Sequence, residues 1–213
     1  VEPLSVEEVL ALDPGDINSF DRASITPFRE TLDGDVMMYA SFLLPLSLLS
    51  HEGCREDIRT LGVMWAEVLL LEAGLNAAVK STVLRTRPYA YDDATPMDKS
   101  TSRDARLSFF SGHTGITAAT SFYIASVFSA YPVSSATKTL IWAGAVLYPA
   151  VTAYLRRDSG NHFRTDVITG YAVGGLIGWL VPFLHRTGRD AGVAIGPSVS
   201  PAGSGLRFAW TLQ

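Results

Sequence analysis

The chain has 213 residues, a formal charge of -4 and a pI near 5.5. That length suits one domain with a real core rather than two, and the acidic balance excludes a general basic surface for nucleic acid. A single cysteine, Cys54, excludes an internal disulfide and a cysteine-based zinc cluster. Hydrophobic residues make up 47% of the chain and the mean hydropathy is +0.20, high for a soluble enzyme and low for a compact membrane protein, so the segments decide the matter singly. The chain starts at Val1 without a basic, apolar leader, as expected after removal of a signal or a cut in a longer chain.

Residues 1 to 35 form a polar, acidic arm. Ser5 with Glu8 three positions later predicts a capping box and a short helix. Pro14-Gly15-Asp16 predicts a turn, with Asp16 a candidate cap for a second helix, and Asp21, Arg22, Arg29 and Glu30 read as a solvated or interfacial face. The arm is expected to be structural. Residues 36 to 50 carry no charge and predict one helix. Fifteen helical residues span about 22 Å, short of the roughly 30 Å hydrocarbon layer, so this is a buried helix or a short span. His51 opens a charged loop and is expected at the surface.

Helices are expected over 59 to 80, 113 to 131, 138 to 156 and 166 to 184. In the first, Glu67 and Glu72 interrupt an apolar run, and they must point into the bundle, into water or toward a partner. Residues 81 to 110 read as a long loop containing Pro88 and Pro96; loops this long are usually functional, and this one is expected to roof a pocket and help choose a substrate. Residues 115 to 137, 139 to 155 and 167 to 184 carry no charge except Lys138 between the second and first of these runs. Soluble bundles show a charged outer stripe, whereas these helices show none. Tyr131, Trp142, Tyr154 and Trp179 lie toward segment ends, as interfacial rings do, and Gly170, Gly174, Gly175 and Gly178 offer a small-residue face for close helix contact.

Membrane embedding is therefore expected, the rival being a soluble envelope protein whose helices are shielded by the arm or a partner. Arg55, Arg59, Lys138, His185, Arg186 and Arg189 gather at one end, which positive-inside reasoning makes cytoplasmic, with the opposite end facing outward. Residues 187 to 213, rich in Gly, Ser and Pro, end in an alternating stretch over 206 to 212, and 193 to 195 could pair with it, giving a small hairpin or an irregular tail. The expected organisation is an arm (1–35), a helical bundle (36–186) and a tail (187–213). The fold class is all-α, an antiparallel bundle of five to six main helices. No oligomeric state is readable.

Short connections make neighbouring helices antiparallel. Alternation then delivers Lys80, His113, Arg156, His162 and Asp166 to one end of the bundle. Lys80, Arg87 and Arg156 supply three positive charges there, and Ser111, Gly112 and the first amides of the helix near His113 add neutral donors. Such a set suits a tetrahedral oxyanion, phosphate above all. The bland reading pairs those cations with Asp92, Asp93 and Asp104. His162 and Asp166, spaced i, i+4, can hold a ring tautomer with one nitrogen facing the pocket, as a nucleophile or base requires. His113, at another helix N-terminus, can protonate a leaving oxygen. Three cations would repel a divalent metal, so neither a metal nor another cofactor is expected.

The run Lys80-Ser-Thr-Val-Leu-Arg-Thr-Arg87-Pro88, then Ser111-Gly112-His113, then Arg156 with His162 six and Asp166 ten positions later, resembles the three-part signature of the type 2 phosphatidic acid phosphatase family, relatives of the vanadium haloperoxidases. The resemblance implies that His162 forms a phosphohistidine, that Asp166 orients it and that His113 protonates the leaving group. It also implies that Lys80, Arg87, Ser111, Gly112 and Arg156 hold the phosphate without metal. Phe110 and Leu155 depart from the family pattern, which usually has proline and serine there. The expected activity is hydrolysis of a lipid phosphomonoester or diphosphate: phosphatidate, phosphatidylglycerophosphate, an isoprenoid diphosphate or a lipid A phosphate. The alternatives are a soluble envelope acid phosphatase acting on small organic phosphates, a vanadate-dependent haloperoxidase, and an envelope scaffold with an inert pocket.

Overall fold

In chain order the helices of the computed structural model are α1 (Val6–Leu10), α2 (Ser19–Arg22), α3 (Asp33–Ser41), α4 (Glu52–Glu56), α5 (Ile58–Val83), α6 (Met97–Ser100), α7 (Gly112–Ala130), α8 (Ser135–Asp158) and α9 (Arg164–Asp190). Four 3-10 turns, Pro14–Asp16, Leu44–Ser50, Pro88–Tyr91 and Arg103–Arg106, lie between them. The structure describes residues 1–30, 32–190, 193–200 and 203–210, with side chains through residue 186.

Local chemistry accounts for the helix ends. Ser111 and Ser134 stand in extended backbone before α7 and α8, and their hydroxyls accept from the amides of Thr114 and Thr137. A serine cap of this kind is worth about 1 kcal/mol. At its other end α5 closes on Leu84, which turns into the left-handed region and returns its amide to the Lys80 carbonyl. In the arm, Ser5 and Glu8 satisfy each other's amides at 2.7 and 3.1 Å, the capping box that the spacing predicts. Asp16 is not the second cap. It lies inside a 3-10 turn, and Asn18, the residue directly before α2, accepts from the Asp21 amide instead.

The single helix expected over 36 to 50 is two pieces. α3 stops at Ser41 and a 3-10 turn follows, because Pro45 lacks the amide that a continuing helix needs. Nor is His51 a surface histidine: it is half-buried, its ring 5.3 Å from that of Tyr131.

α7 is the axis of the bundle. It is buried from Thr114 to Phe128 except at the half-buried Ile116 and Phe122, and α3, α5, α8 and α9 pack around it. A helix enclosed in this way has no water-facing side on which to place a charge, and residues 114 to 130 carry none. α9 comes closest. A Cβ added at Gly174 or Gly178 would collide with the carbonyl oxygens of Gly115 and Ala119, so glycine is what lets the two backbones touch. Gly175 faces elsewhere, toward Phe122. Below the site, Val68, Met64 and Leu61 of α5 join Tyr123, Val127 and Phe128 of α7 in the main apolar cluster. Each such side chain contributes about 1.5–3 kcal/mol by leaving water. Tyr123 keeps its hydroxyl satisfied on the Leu61 carbonyl at 2.6 Å.

The outer faces of α5, α8 and α9 are apolar as well, with Val63, Leu70, Leu140, Leu147, Leu176 and Leu184 all exposed. The segments Ile58–Tyr91 and Arg164–Arg186 are long and apolar enough to cross a membrane. Beyond α9, strands β1 (Val193–Ser200) and β2 (Gly203–Trp210) pair antiparallel, from Val193 opposite Trp210 to Ser200 opposite Gly203. The residues that join the two strands and the last residues of the alternating stretch lie outside the described residues.

Candidate active site

The ends of four helices meet at one end of the bundle. α5 brings Lys80 in its last turn, α7 begins with Gly112 and His113 behind Ser111, α8 brings Arg156 near its end, and α9 carries Asp166 in its first turn. His162 sits in the connection between α8 and α9, and Arg87 stands just before the turn Pro88–Tyr91. All eight residues singled out from the sequence are thus gathered in one region.

His162 is completely buried. Its Nδ1 lies 2.8 Å from the carbonyl oxygen of Ser108, and a carbonyl can only accept, so Nδ1 carries a hydrogen; the Arg87 guanidinium beside Nε2 can only donate, which makes Nε2 the bare, accepting nitrogen. Arg87 Nη1 is 3.4 Å from that Nε2. Burial first, then the charges of Arg87, Lys80 and Arg156 together with His113, hold the imidazole well below its ordinary range. The ring is neutral and can act as a nucleophile.

Asp166 is close but does not hold the ring as the i, i+4 spacing suggests. Its Oδ2 is 3.7 Å from Nδ1, beyond hydrogen-bond distance. The carboxylate is occupied elsewhere. It accepts from the Ser108 hydroxyl at 2.5 Å, from the Phe163 amide at 2.8 Å and from Arg85 Nη1 at 2.6 Å. The physical reason is helix capping: the first turn of α9 leaves amides without partners, and a carboxylate there turns back to satisfy one. Asp166 is linked to His162 through Ser108, whose hydroxyl it holds and whose carbonyl holds the ring.

Two of the three cations already carry carboxylates. Arg87 donates to the carbonyl and Oδ1 of Asp104, at 2.9 and 2.8 Å, and to the carbonyl and side chain of Asn161. Arg156 lies 3.2 Å from Asp35 Oδ1, and the same oxygen is 2.7 Å from His113 Nε2. The His113 ring is pulled down to about 4, by burial first and then by Arg156 and Lys80, against the opposing pull of Asp35. Asp92, another expected partner for the cations, instead accepts from the Ala94 amide.

Ser111 is fully buried. Its hydroxyl caps α7 and its amide donates to the Asp166 carbonyl at 3.1 Å. The Gly112 and His113 amides are the open donors of that helix start. Behind them Asn76 donates to the Phe110 carbonyl at 2.8 Å, and Glu72, one turn further down α5, is buried against Gly115. Glu67 faces outward, 3.5 Å from His185. The loop expected to roof the site supplies it with Arg85, Arg87, Asp104 and Ser108.

Sequence reasoning missed three residues. Arg85 sits between Lys80 and Arg87 and reads as a spacer, yet it bridges Asp166 to Asp21 and Thr165, with its guanidinium 4.1 Å above the Phe163 ring. Asp21 belongs to the arm and was assigned to a solvated or interfacial face. It is fully buried, accepting from Arg85 at 2.8 Å and from the amide and hydroxyl of Thr165. Burial raises its carboxyl, but the bonds from Arg85, Thr165 and Asn18 outweigh it and bring the value down to about 2. Asp35 is the third. Its charge, inside a block already rich in cations, is the local signal that could have found Arg85; nothing local distinguishes the two aspartates.

Two cavities open elsewhere. One of about 280 Å³ lies at the far end near Asp57, Tyr131 and His185, and one of about 560 Å³ lies between α7, α8 and the turn Leu44–Ser50. Neither is lined by the residues gathered around His162.

The family model of the PAP2 superfamily matches residues 61–189. All eight site candidates fall inside that range, while Asp21 and Asp35 fall outside it. Among solved structures the chain is similar to a transmembrane PAP2-type phosphatidylglycerolphosphate phosphatase from Bacillus subtilis, with 25% identity, a TM-score of 0.57, and coverage of 79% of this chain and 84% of that one. No curated protein matches the chain.

Proposed function

The chain belongs to the PAP2 superfamily and is a phosphatase, and on that premise we propose that it hydrolyses a phosphomonoester or diphosphate of a membrane lipid through a phosphohistidine on His162. The observation that carries the reading is the state of that ring: fully buried, its Nδ1–H committed to a carbonyl, its bare Nε2 beside Arg87. A neutral imidazole aimed into a cluster of cations is the arrangement a nucleophile needs to meet an anion.

In this mechanism Lys80, Arg87, Arg156 and the α7 amides hold the non-bridging oxygens, with Ser111 fixing the helix start that presents those amides. The phosphate exchanges with Asp104 on Arg87. His162 Nε2 attacks phosphorus, the ester P–O bond breaks, and His113 gives its proton to the departing oxygen. A water then attacks the phosphohistidine, returning its proton to His113 and releasing inorganic phosphate. The incoming dianion lies among the cations that pull His113 down, so substrate charge itself favours protonation of the acid. The cations supply the charge neutralisation a metal would otherwise provide, so no metal or other cofactor is required.

A lipid substrate follows from the outside of the bundle. The core helix of a soluble protein is mostly buried, whereas only 22% of the apolar window in the first candidate span and 39% in the second is covered. Leucines facing outward on α5 and α9 are stable against acyl chains and costly against water. Arg55, Arg59 and Lys138 stand at or near the helix starts remote from the site and Arg186 near the remote end of α9, which orients that end to the cytoplasm and the site outward, in a cell envelope. The Bacillus subtilis neighbour acts on phosphatidylglycerolphosphate, and that lipid, phosphatidate, isoprenoid diphosphates and lipid A phosphates form the substrate class.

The test is phosphate release from a panel of lipid and water-soluble phosphates in detergent, with EDTA and vanadate. Lipid phosphates are expected to turn over with EDTA present, and vanadate to compete with them. Turnover confined to soluble phosphates by a protein left in the supernatant after membranes are pelleted would overturn the lipid reading, and loss of activity in EDTA would overturn metal independence.

A further inference from the structure

Asp35 lies at the edge of the site on α3, outside the range of the family match and at a position the sequence reading gave no role. Its Oδ1 is shared between His113 Nε2 at 2.7 Å and Arg156 Nη1 at 3.2 Å. The contact is built into the fold at both sides. α3 packs on α7 and α8, and a Cβ at the neighbouring Gly34 would come within 2.6 Å of Arg156 Cδ, so the start of α3 is fitted closely against that side chain. Tyr148 of α8 donates to the Met37 carbonyl at 2.6 Å and ties the middle of α3 to the same wall.

The two imidazoles are held in opposite ways. His162 has one nitrogen on a neutral carbonyl and is surrounded by cations, which favours the bare ring. His113 has one nitrogen on a carboxylate, the one negative group among those acting on it. Arg156 from α8 and Lys80 from α5 push the other way, and His162, in the connection between α8 and α9, faces it across the site. A carboxylate at hydrogen-bond distance from one ring nitrogen both orients the ring and stabilises its imidazolium.

We propose that Asp35 is the positioning residue of the general acid: it fixes His113 through Nε2, leaves Nδ1 for the leaving oxygen, and balances the imidazolium that His113 must form. This rests on the reading of His113 as the acid. When the ester bond breaks, the Nδ1 proton passes to the alkoxide, and the neutral ring keeps its Nε2–H on Asp35. When water attacks the phosphohistidine, Nδ1 takes the proton back.

The experiment compares Asp35→Asn, Asp35→Glu and His113→Ala on a short-chain phosphatidate, whose alkoxide leaves poorly, and on p-nitrophenyl phosphate, whose leaving oxygen needs little protonation. Asp35→Asn is expected to lower kcat on phosphatidate about 10-fold or more, part of the 10²- to 10⁴-fold worth of a general acid, with less than about 3-fold loss on the aryl ester. Only the pulls of burial, Arg156 and Lys80 then act on His113, so the alkaline limb of the phosphatidate profile moves to lower pH. Asp35→Glu restores most of the loss, and Asp35→Asn adds nothing in a His113→Ala background. Equal loss on both esters, additive losses in the double variant, or tighter vanadate binding with faster turnover, as a carboxylate blocking the cradle would give, overturns the proposal. If His113→Ala shows leaving-group dependence and Asp35→Asn does not, only the role of Asp35 falls. If neither does, the assignment of the acid falls with it.

Discussion

The site has two walls, and they are built differently. Around His162 the polar contacts are buried or partly buried and multiply tied: Asp166 is bound by Ser108, Phe163 and Arg85, and Arg85 in turn by Asp21 and Thr165. Around His113 the ties are few, and Asp35, which makes two of them, is 43% exposed at its side chain. The proposed nucleophile is set in a dense hydrogen-bond network, whereas the proposed acid is held by one half-solvated carboxylate. In the first wall a removed group leaves a buried charge unpaired, which is expensive; in the second, water can replace it. Activity and stability should therefore be coupled on the His162 side and separable on the His113 side.

The sharpest break is chemical. His162→Ala is expected to abolish turnover, measured as phosphate release and as loss of an acid-labile phosphoenzyme on rapid quench, because it removes the proposed phosphoryl acceptor. His113→Ala should keep the phosphoenzyme and slow only substrates with poor leaving groups, by about 10²- to 10⁴-fold. Equal losses from the two would erase the distinction between nucleophile and acid.

Stability comes next. Asp21→Asn leaves the Arg85 guanidinium with one carboxylate fewer in a buried setting, at a cost of about 3 kcal/mol, which should appear as a lower melting temperature in detergent together with reduced kcat. Wild-type protein should lose stability in acid in two windows. His162, whose folded value is depressed, must stay neutral while the unfolded ring protonates, so stability falls as pH drops below about 6.5. Asp21, brought from 3.8 to about 2, contributes stability that is full above 3.8 and is lost as pH falls toward 2. Asp21→Asn should remove the lower window and leave the upper one. The smallest effect belongs to the other wall: Asp35→Asn should change stability by less than about 1 kcal/mol, since its pairs are half-solvated. A large drop in melting temperature would make Asp35 a structural residue and dissolve the contrast.

What was legible in the chain followed the range over which each signal acts. The four long helices could be read because each is marked by its own apolar run and by serine or charged residues at its ends. The three blocks with Lys80 and Arg87, Ser111 to His113, and Arg156 to Asp166 could be read because each holds its spacing locally. Pro45 was in plain view and should have split the helix expected over 36 to 50. The partners of the arm's carboxylates were hidden for a deeper reason. Asp21 meets Arg85 across 64 positions and Thr165 across 144, and Asp35 meets His113 across 78 and Arg156 across 121. An aspartate in a polar stretch looks solvated until the fold carries it inward.

Helix boundaries, their alternation, and the convergence of cations with two imidazoles were determined by the sequence alone, because capping, hydrophobic runs and short connections act over a few residues. The tertiary structure alone decided which carboxylate serves which histidine. Spacing nominated Asp166 for His162, but capping of α9 turned that side chain toward Phe163 and Ser108 and left a backbone carbonyl to hold the ring. The packing of α3 against Arg156 brought in Asp35 for His113. Hydrogen-bond partners are chosen by ångström-scale competition among buried groups, and that competition exists only once the helices have docked.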